Sequence, residues 1–117
     1  MNDLIFYLGL TFLIMHEMDA VRQKEWRIIP AWRNLSDETG YIIFLLIHIP
    51  MFLPLFLIPG SSETVFFWLD IFLMAHAGIH FVLRNNPHID FRHWYSWLCI
   101  EGAAVMGAIH LGLMYWG

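Results

Sequence analysis

The sequence predicts an all-α protein: a four-transmembrane-helix bundle, up-down-up-down, with both termini extracytoplasmic. Three observations predict it. Four apolar runs, at about 4–21, 41–59, 64–83 and 95–116, each approach the ~20 residues that a helix needs to span a bilayer. The composition agrees, because 59% of the 117 residues are hydrophobic and only 14% are charged, against about 25% charged in a typical soluble domain. All six basic residues, Arg22, Lys24, Arg27, Arg33, Arg84 and Arg92, fall in the first and third connectors. By the positive-inside rule those connectors are cytoplasmic. A single membrane domain, residues 1–117, accounts for the whole chain.

Each element has its own signal. The first span passes from "FLIM" into the charged segment "HEMDAVRQKEWR". Asp3 and the missing basic start argue against a cleavable signal peptide. The segment "VRQKEWRIIPAW" mixes basic residues with Trp26, Ile28, Ile29 and Trp32, as a snorkelling helix end or an interfacial helix does. "SDETG" offers Ser36 or Asp37 as a cap for the second span. Pro50 and Pro54 lie inside that span and are expected to kink it, whereas Pro30, Pro59 and Pro87 sit in connectors. The short "PGSSE" makes spans two and three an antiparallel hairpin. In span four, Gly102, Ala103, Gly107 and Ala108 permit close helix approach. Cys99 lies in an apolar run and is expected to pack.

The polar residues of the spans are not scattered. His16 and Asp19 lie in the last turns of span one, and His48 about two turns into span two. His76 and His80 lie near the end of span three, and Glu101 about two turns into span four. All fall in the cytoplasmic half, within roughly 10 Å of one another in depth at ~1.5 Å per residue. His76 and His80, at i and i+4, share a face and can bind one metal. His16 and Asp19, at i and i+3, also share a face, and Glu17 is rotated about 100° from His16. Ionisable groups within spans mark function by default.

Plainer roles stand beside this one. His48 suits an interhelical hydrogen bond as well as ligation. Asp19 can cap a charged helix end against Arg22. His88 and His93 belong to a polar loop, and Asp70 and His110, nearer the external side, can form a structural pair.

Imidazoles with carboxylates, and no thiolate pattern, suit zinc first and iron as another divalent choice. The metal ligands expected are His16, Asp19, His48, His76 and His80. With an open coordination position, such a site polarises an ester, amide or phosphoryl oxygen. Glu17 or Glu101 would act as general base. Arg22, Lys24 and Arg27 would hold an anionic lipid headgroup, so the reading is a metal-dependent hydrolase acting on a lipid-like substrate. The alternatives are a haem b or other redox protein with bis-histidine ligation, an ion or small-solute carrier, and an accessory subunit of a larger membrane complex. The net charge of −4 gives no reason to expect nucleic acid. A homodimer is expected, because four helices enclose a small interior.

"HEMDAVRQKEWR", "SDETGYIIFLLIH" and "LDIFLMAHAGIHFVLRNNP" resemble an uncharacterised bacterial family of small four-span membrane proteins, a domain of unknown function. The resemblance covers nearly the whole chain and implies a multi-pass protein of the bacterial inner membrane, with no activity attached. More distantly, the His and acid pattern is similar to membrane-embedded metal-dependent hydrolases such as the alkaline ceramidase superfamily. His76 and His80 would match the HxxxH pair of that superfamily, whose members have more spans.

Overall fold

The computed structural model describes residues 2–57, 63–88 and 92–117. Four helices carry the fold: α1 (Asn2–Gln23), α2 (Asp37–Leu57), α3 (Glu63–Val82) and α4 (Trp94–Trp116). All are long and apolar enough to cross a membrane. At ~1.5 Å per residue they run about 30–35 Å, the thickness of a bilayer core. Two short 3-10 turns, Glu25–Ile28 and Pro30–Trp32, join α1 to α2. No strand occurs among the described residues. The expected tight connector at 59–62, with Pro59, lies outside them.

Helix α4 is the centre of the packing and touches both α1 and α3 along their lengths. Its small residues make this possible. A Cβ added at Gly107 would stand 3.2 Å from the Asp70 carbonyl oxygen, so α3 approaches α4 almost backbone to backbone. Ala103 is buried beside Leu13 of α1 and Leu73 of α3, forming an apolar layer at mid-depth. On one side of that layer, His110 of α4 and Asp70 of α3 are bonded at 2.6 Å, both almost fully buried. The rings of Phe6 and Phe66 close over His110 at 5.2 and 5.7 Å. Burying two polar groups is tolerable here because each supplies the other's partner. Cys99 is buried in α4.

Helix α2 is different. Its backbone lies closest to the Glu25–Ile28 turn; beyond that it stands off from α1 and α3 and reaches them through side chains, His48 to Glu17 and Phe52 to the Leu13–Leu73 layer. It stays helical through Pro50 and Pro54. Ser36 caps it, its hydroxyl accepting the Thr39 N–H at 3.2 Å. The contact with the turn is tight. Trp26 is buried, and its indole lies against Gly40, where an added Cβ would come within 2.6 Å of Cδ1 and 2.8 Å of Cε2. Lys24 Nζ lies 2.7 Å from Asp37 Oδ2, and Arg27 also pairs with Asp37.

The turn itself depends on Lys24, whose backbone is left-handed with φ 53° and ψ 51°. A non-glycine residue reaches that region at a cost of roughly 1–2 kcal/mol. The change of direction ends α1 and swings Glu25 back under the bundle.

Candidate metal centre

Three helical histidines converge at the end of the bundle that carries this turn. His16 projects inward from the last turns of α1 and His80 from the last turn of α3, both about 1% exposed. His76, one turn before His80, lies on the same face. The three rings meet edge to face, with centroids 4.7 Å apart for His16–His76, 4.9 Å for His16–His80 and 4.6 Å for His76–His80.

Glu25 completes the group from the 3-10 turn. Its Oε1 is 2.7 Å from His80 Nε2 and 3.6 Å from His76 Nε2, and its Oε2 is 3.1 Å from His16 Nε2. His76 Nε2 and His80 Nε2 are themselves 3.1 Å apart. Donor atoms from all four residues lie within 4.8 Å of one another.

The spacing suits a metal ion. Ligand bonds of about 2.0–2.1 Å in a tetrahedron put donor atoms about 3.3 Å apart. Four of the contacts lie near this value, from 2.7 to 3.6 Å, within a group whose donor atoms span up to 4.8 Å. Protons serve the same geometry poorly. Nε2 of His76 and Nε2 of His80 face each other and also face one carboxylate oxygen, so only one N–H can point along each line. A cation at the centre would take every lone pair at once.

The carboxylate is prepared for this. Burial alone would raise the Glu25 pKa, but the hydrogen bonds of His16, His76 and His80 outweigh it and hold the group well below the ordinary carboxylate range. A negative charge is therefore kept among three imidazoles in a nearly dry site.

A cavity of about 280 Å³ adjoins the group. Glu25, His76 and His80 line it, with Glu17 and His48 on the α1–α2 side. The remaining wall is apolar, including Trp26, Ile29, Phe44 and Phe72.

The structure brings together His16, His76 and His80, and it separates the other expected ligands from them. Asp19 turns towards α4, accepting the Ser96 hydroxyl at 2.5 Å and lying 3.5 Å from Arg22 Nε. Ser96 is fully buried beside it, and a fixed donor on a packed helix holds this carboxylate away from the histidines. His48 bonds Glu17 Oε2 through Nε2 at 2.5 Å and the Phe44 carbonyl through Nδ1 at 2.5 Å, so both ring nitrogens are engaged outside the group. The reason is the stand-off of α2, which leaves His48 nearer α1 than α3. Glu17 thereby borders the cavity as half of a pair.

Glu101 is exposed on the outer α3–α4 face, in a groove with Ala77 and Gly78, and does not line the cavity. Lys24 and Arg27 are committed to Asp37, while Arg22 meets Asp19 and donates to the Tyr95 hydroxyl at 2.7 Å. Each of these three cations has an acidic partner within the fold. His88 lies exposed in the loop after α3, and His93 stacks on Tyr95 at 5.0 Å.

Glu25 was not among the expected ligands. Its signal was faint: an acid just past an apolar span, inside a segment whose Trp26, Ile28 and Ile29 ask to fold back on the bundle.

These features define a class: a four-helix protein with membrane-length spans and an internal three-histidine, one-carboxylate group that could hold a metal. Residues 2–116 match the model of a family of unknown function, DUF6713, and the chain belongs to that family. No curated protein matches the chain. No solved structure matches it either.

Proposed function

We propose that the protein binds one divalent transition metal, zinc or iron, through His16, Glu25, His76 and His80, and uses it to hydrolyse an ester or amide of a lipid-like substrate. The observation that carries the reading is the convergence of those four donors within 4.8 Å beside an apolar cavity. All-nitrogen-and-oxygen ligation favours zinc or iron over softer metals. Donors converging on a point, rather than flanking a plane, favour an ion over haem.

A metal held there would polarise a carbonyl oxygen and lower the pKa of water. The chain's own groups supply the rest. His16, His76 and His80 would fix its position, and Trp26, Phe44 and Phe72 give the adjoining cavity an apolar wall. Glu17, braced by His48 at 2.5 Å, is the carboxylate placed on the cavity wall to take a proton from the attacking water. The positive charge of the two basic connectors supports a reading in which this end of the bundle faces the cytoplasm.

A second reading has an observation of its own. Four protein donors fill a tetrahedron, which is the pattern of a structural site. The metal would then clamp the Glu25 turn to α1 and α3 without chemistry. Hydrolysis of long-chain ester and amide probes by protein in lipid nanodiscs separates the two. The catalytic reading expects turnover that chelation abolishes, that added zinc or iron restores, and that Glu17→Gln removes with metal retained. Chelation that unfolds the protein, with no turnover before it, supports the clamp.

A further inference from the structure

A second cavity lies beside the first and belongs to no part of the metal group. It is a cleft of about 390 Å³ between α1 and α2, with Ile14 and Met18 on one wall and Phe52 and Phe56 on the other. It exists because α2 is fastened at its first turns and stands off from α1 further along. The wall is almost all carbon. Its ionisable members are Glu17 and His48, bonded to each other at 2.5 Å and each less than one-fifth exposed. The same two residues line the 280 Å³ cavity that reaches Glu25, His76 and His80. The Glu17–His48 pair is therefore a shared partition, with the long apolar cleft on one side and the metal group on the other.

The cleft has a length as well as a volume. From His48, where the polar pair sits, to Phe56 the helix advances roughly 12 Å at ~1.5 Å per residue. That holds the first part of a long hydrocarbon chain, whose remainder continues into the bilayer. Water is a poor occupant, because these walls offer it almost no hydrogen-bonding atoms. A bare hydrocarbon chain would fill the walls but bring no donor to the second oxygen of the Glu17 carboxylate, whose first oxygen meets His48. A chain that ends in an amide satisfies both features, with carbon along Ile14, Met18 and Phe52 and the amide N–H donating to the Glu17 carboxylate.

We propose that the α1–α2 cleft binds the single long acyl chain of an amphiphile, entering sideways from the bilayer, with its amide linkage at Glu17–His48. The proposal rests on the reading of the adjoining centre as a lipid-processing site, and it names where the chain of that substrate lies. The head of the amphiphile then falls in the cavity beside Glu25, His76 and His80. The open α2 is the entrance, and no rearrangement of α1, α3 or α4 is needed.

The test is photolabelling of the full-length protein in phosphatidylcholine nanodiscs, with a palmitoyl amide carrying a diazirine in mid-chain. The expected result is labelling concentrated on residues 14–21 and 44–56, competed by unlabelled palmitoyl amide. Ile14→Trp and Leu45→Trp place an indole in the cleft at half-exposed positions. Each is expected to reduce labelling about tenfold while leaving bound metal per chain unchanged. Labelling spread evenly over all lipid-facing surfaces, α4 included, and indifferent to competitor or to either variant would overturn the proposal. If both variants fail to fold, the position and competition of wild-type labelling decide alone. Metal content distinguishes the failures: protein with metal but no localised labelling loses the cleft, and protein with localised labelling but no metal loses the centre.

Discussion

Glu25 Oε1 stands 2.7 Å from His80 Nε2, joining the first residue of a connector turn to the last turn of α3. The contact exists because Lys24 adopts a left-handed backbone and because Trp26 and Asp37 pin the turn to α2. Glu25 is thus a candidate ligand delivered by a bend rather than by a helix face.

Removing that ligand separates it from the acid that the helix pattern favours. Glu25→Ala is expected to weaken zinc binding by more than about tenfold, since even outer-shell partners of a metal are worth 10–100-fold. Asp19→Ala is expected to leave binding unchanged, because its carboxylate is occupied by Ser96 and Arg22. Competition against a fluorescent zinc chelator, run on both variants, reads the difference.

The seat of Trp26 is a second lever. Gly40→Ala puts a methyl into the indole, and overpacking of this kind costs typically 1–3 kcal/mol. The melting temperature in detergent should fall, and zinc should bind more weakly as the Glu25 turn shifts. Gly112→Ala is the control, because an added Cβ there meets nothing within 4 Å. It should hold or slightly raise the melting temperature, as alanine is the better helix former.

Acid should release the metal through the imidazoles. Ligating histidines must be neutral, so apparent zinc affinity is expected to fall on acidification as protons compete for the imidazoles. Glu25 does not cause this loss. Its folded pKa is depressed, so its contribution to stability is present above the ordinary carboxylate value and is lost only as pH falls through the lower folded value. Zinc titrations at decreasing pH, with proton release measured in buffers of different ionisation enthalpy, check the sign. An affinity indifferent to acidification would remove the histidines as ligands.

The polar pair on the far side of the apolar layer should behave as structure alone. Asp70→Ala leaves His110 without its carboxylate among Phe6 and Phe66 and is expected to destabilise by about 1–3 kcal/mol. Metal content should be unchanged. Thermal melting beside elemental analysis of the same sample reads both.

The four helices were legible because hydropathy is a property of the chain itself. His76 and His80 were legible for a similar reason, since one helix turn sets them on one face whatever surrounds them. Asp19 and His48 misled because depth says nothing about rotation. Asp19 lies about 60° round the helix from His16, enough for Ser96 of α4 to claim it. The partner of His48 depended on how far α2 stands from α3, which no local pattern encodes. Glu25 was hidden because its approach depends on a single left-handed residue, and lysine is not the residue type that announces one.

The most direct measurement is the metal content of detergent-purified protein by elemental analysis, for wild type and for the His76→Ala/His80→Ala double variant. About one zinc or iron per wild-type chain, lost in the double variant while the helical circular dichroism is retained, is the predicted result. Folded wild-type protein that holds no stoichiometric metal, and takes up none from added zinc or iron, would contradict it.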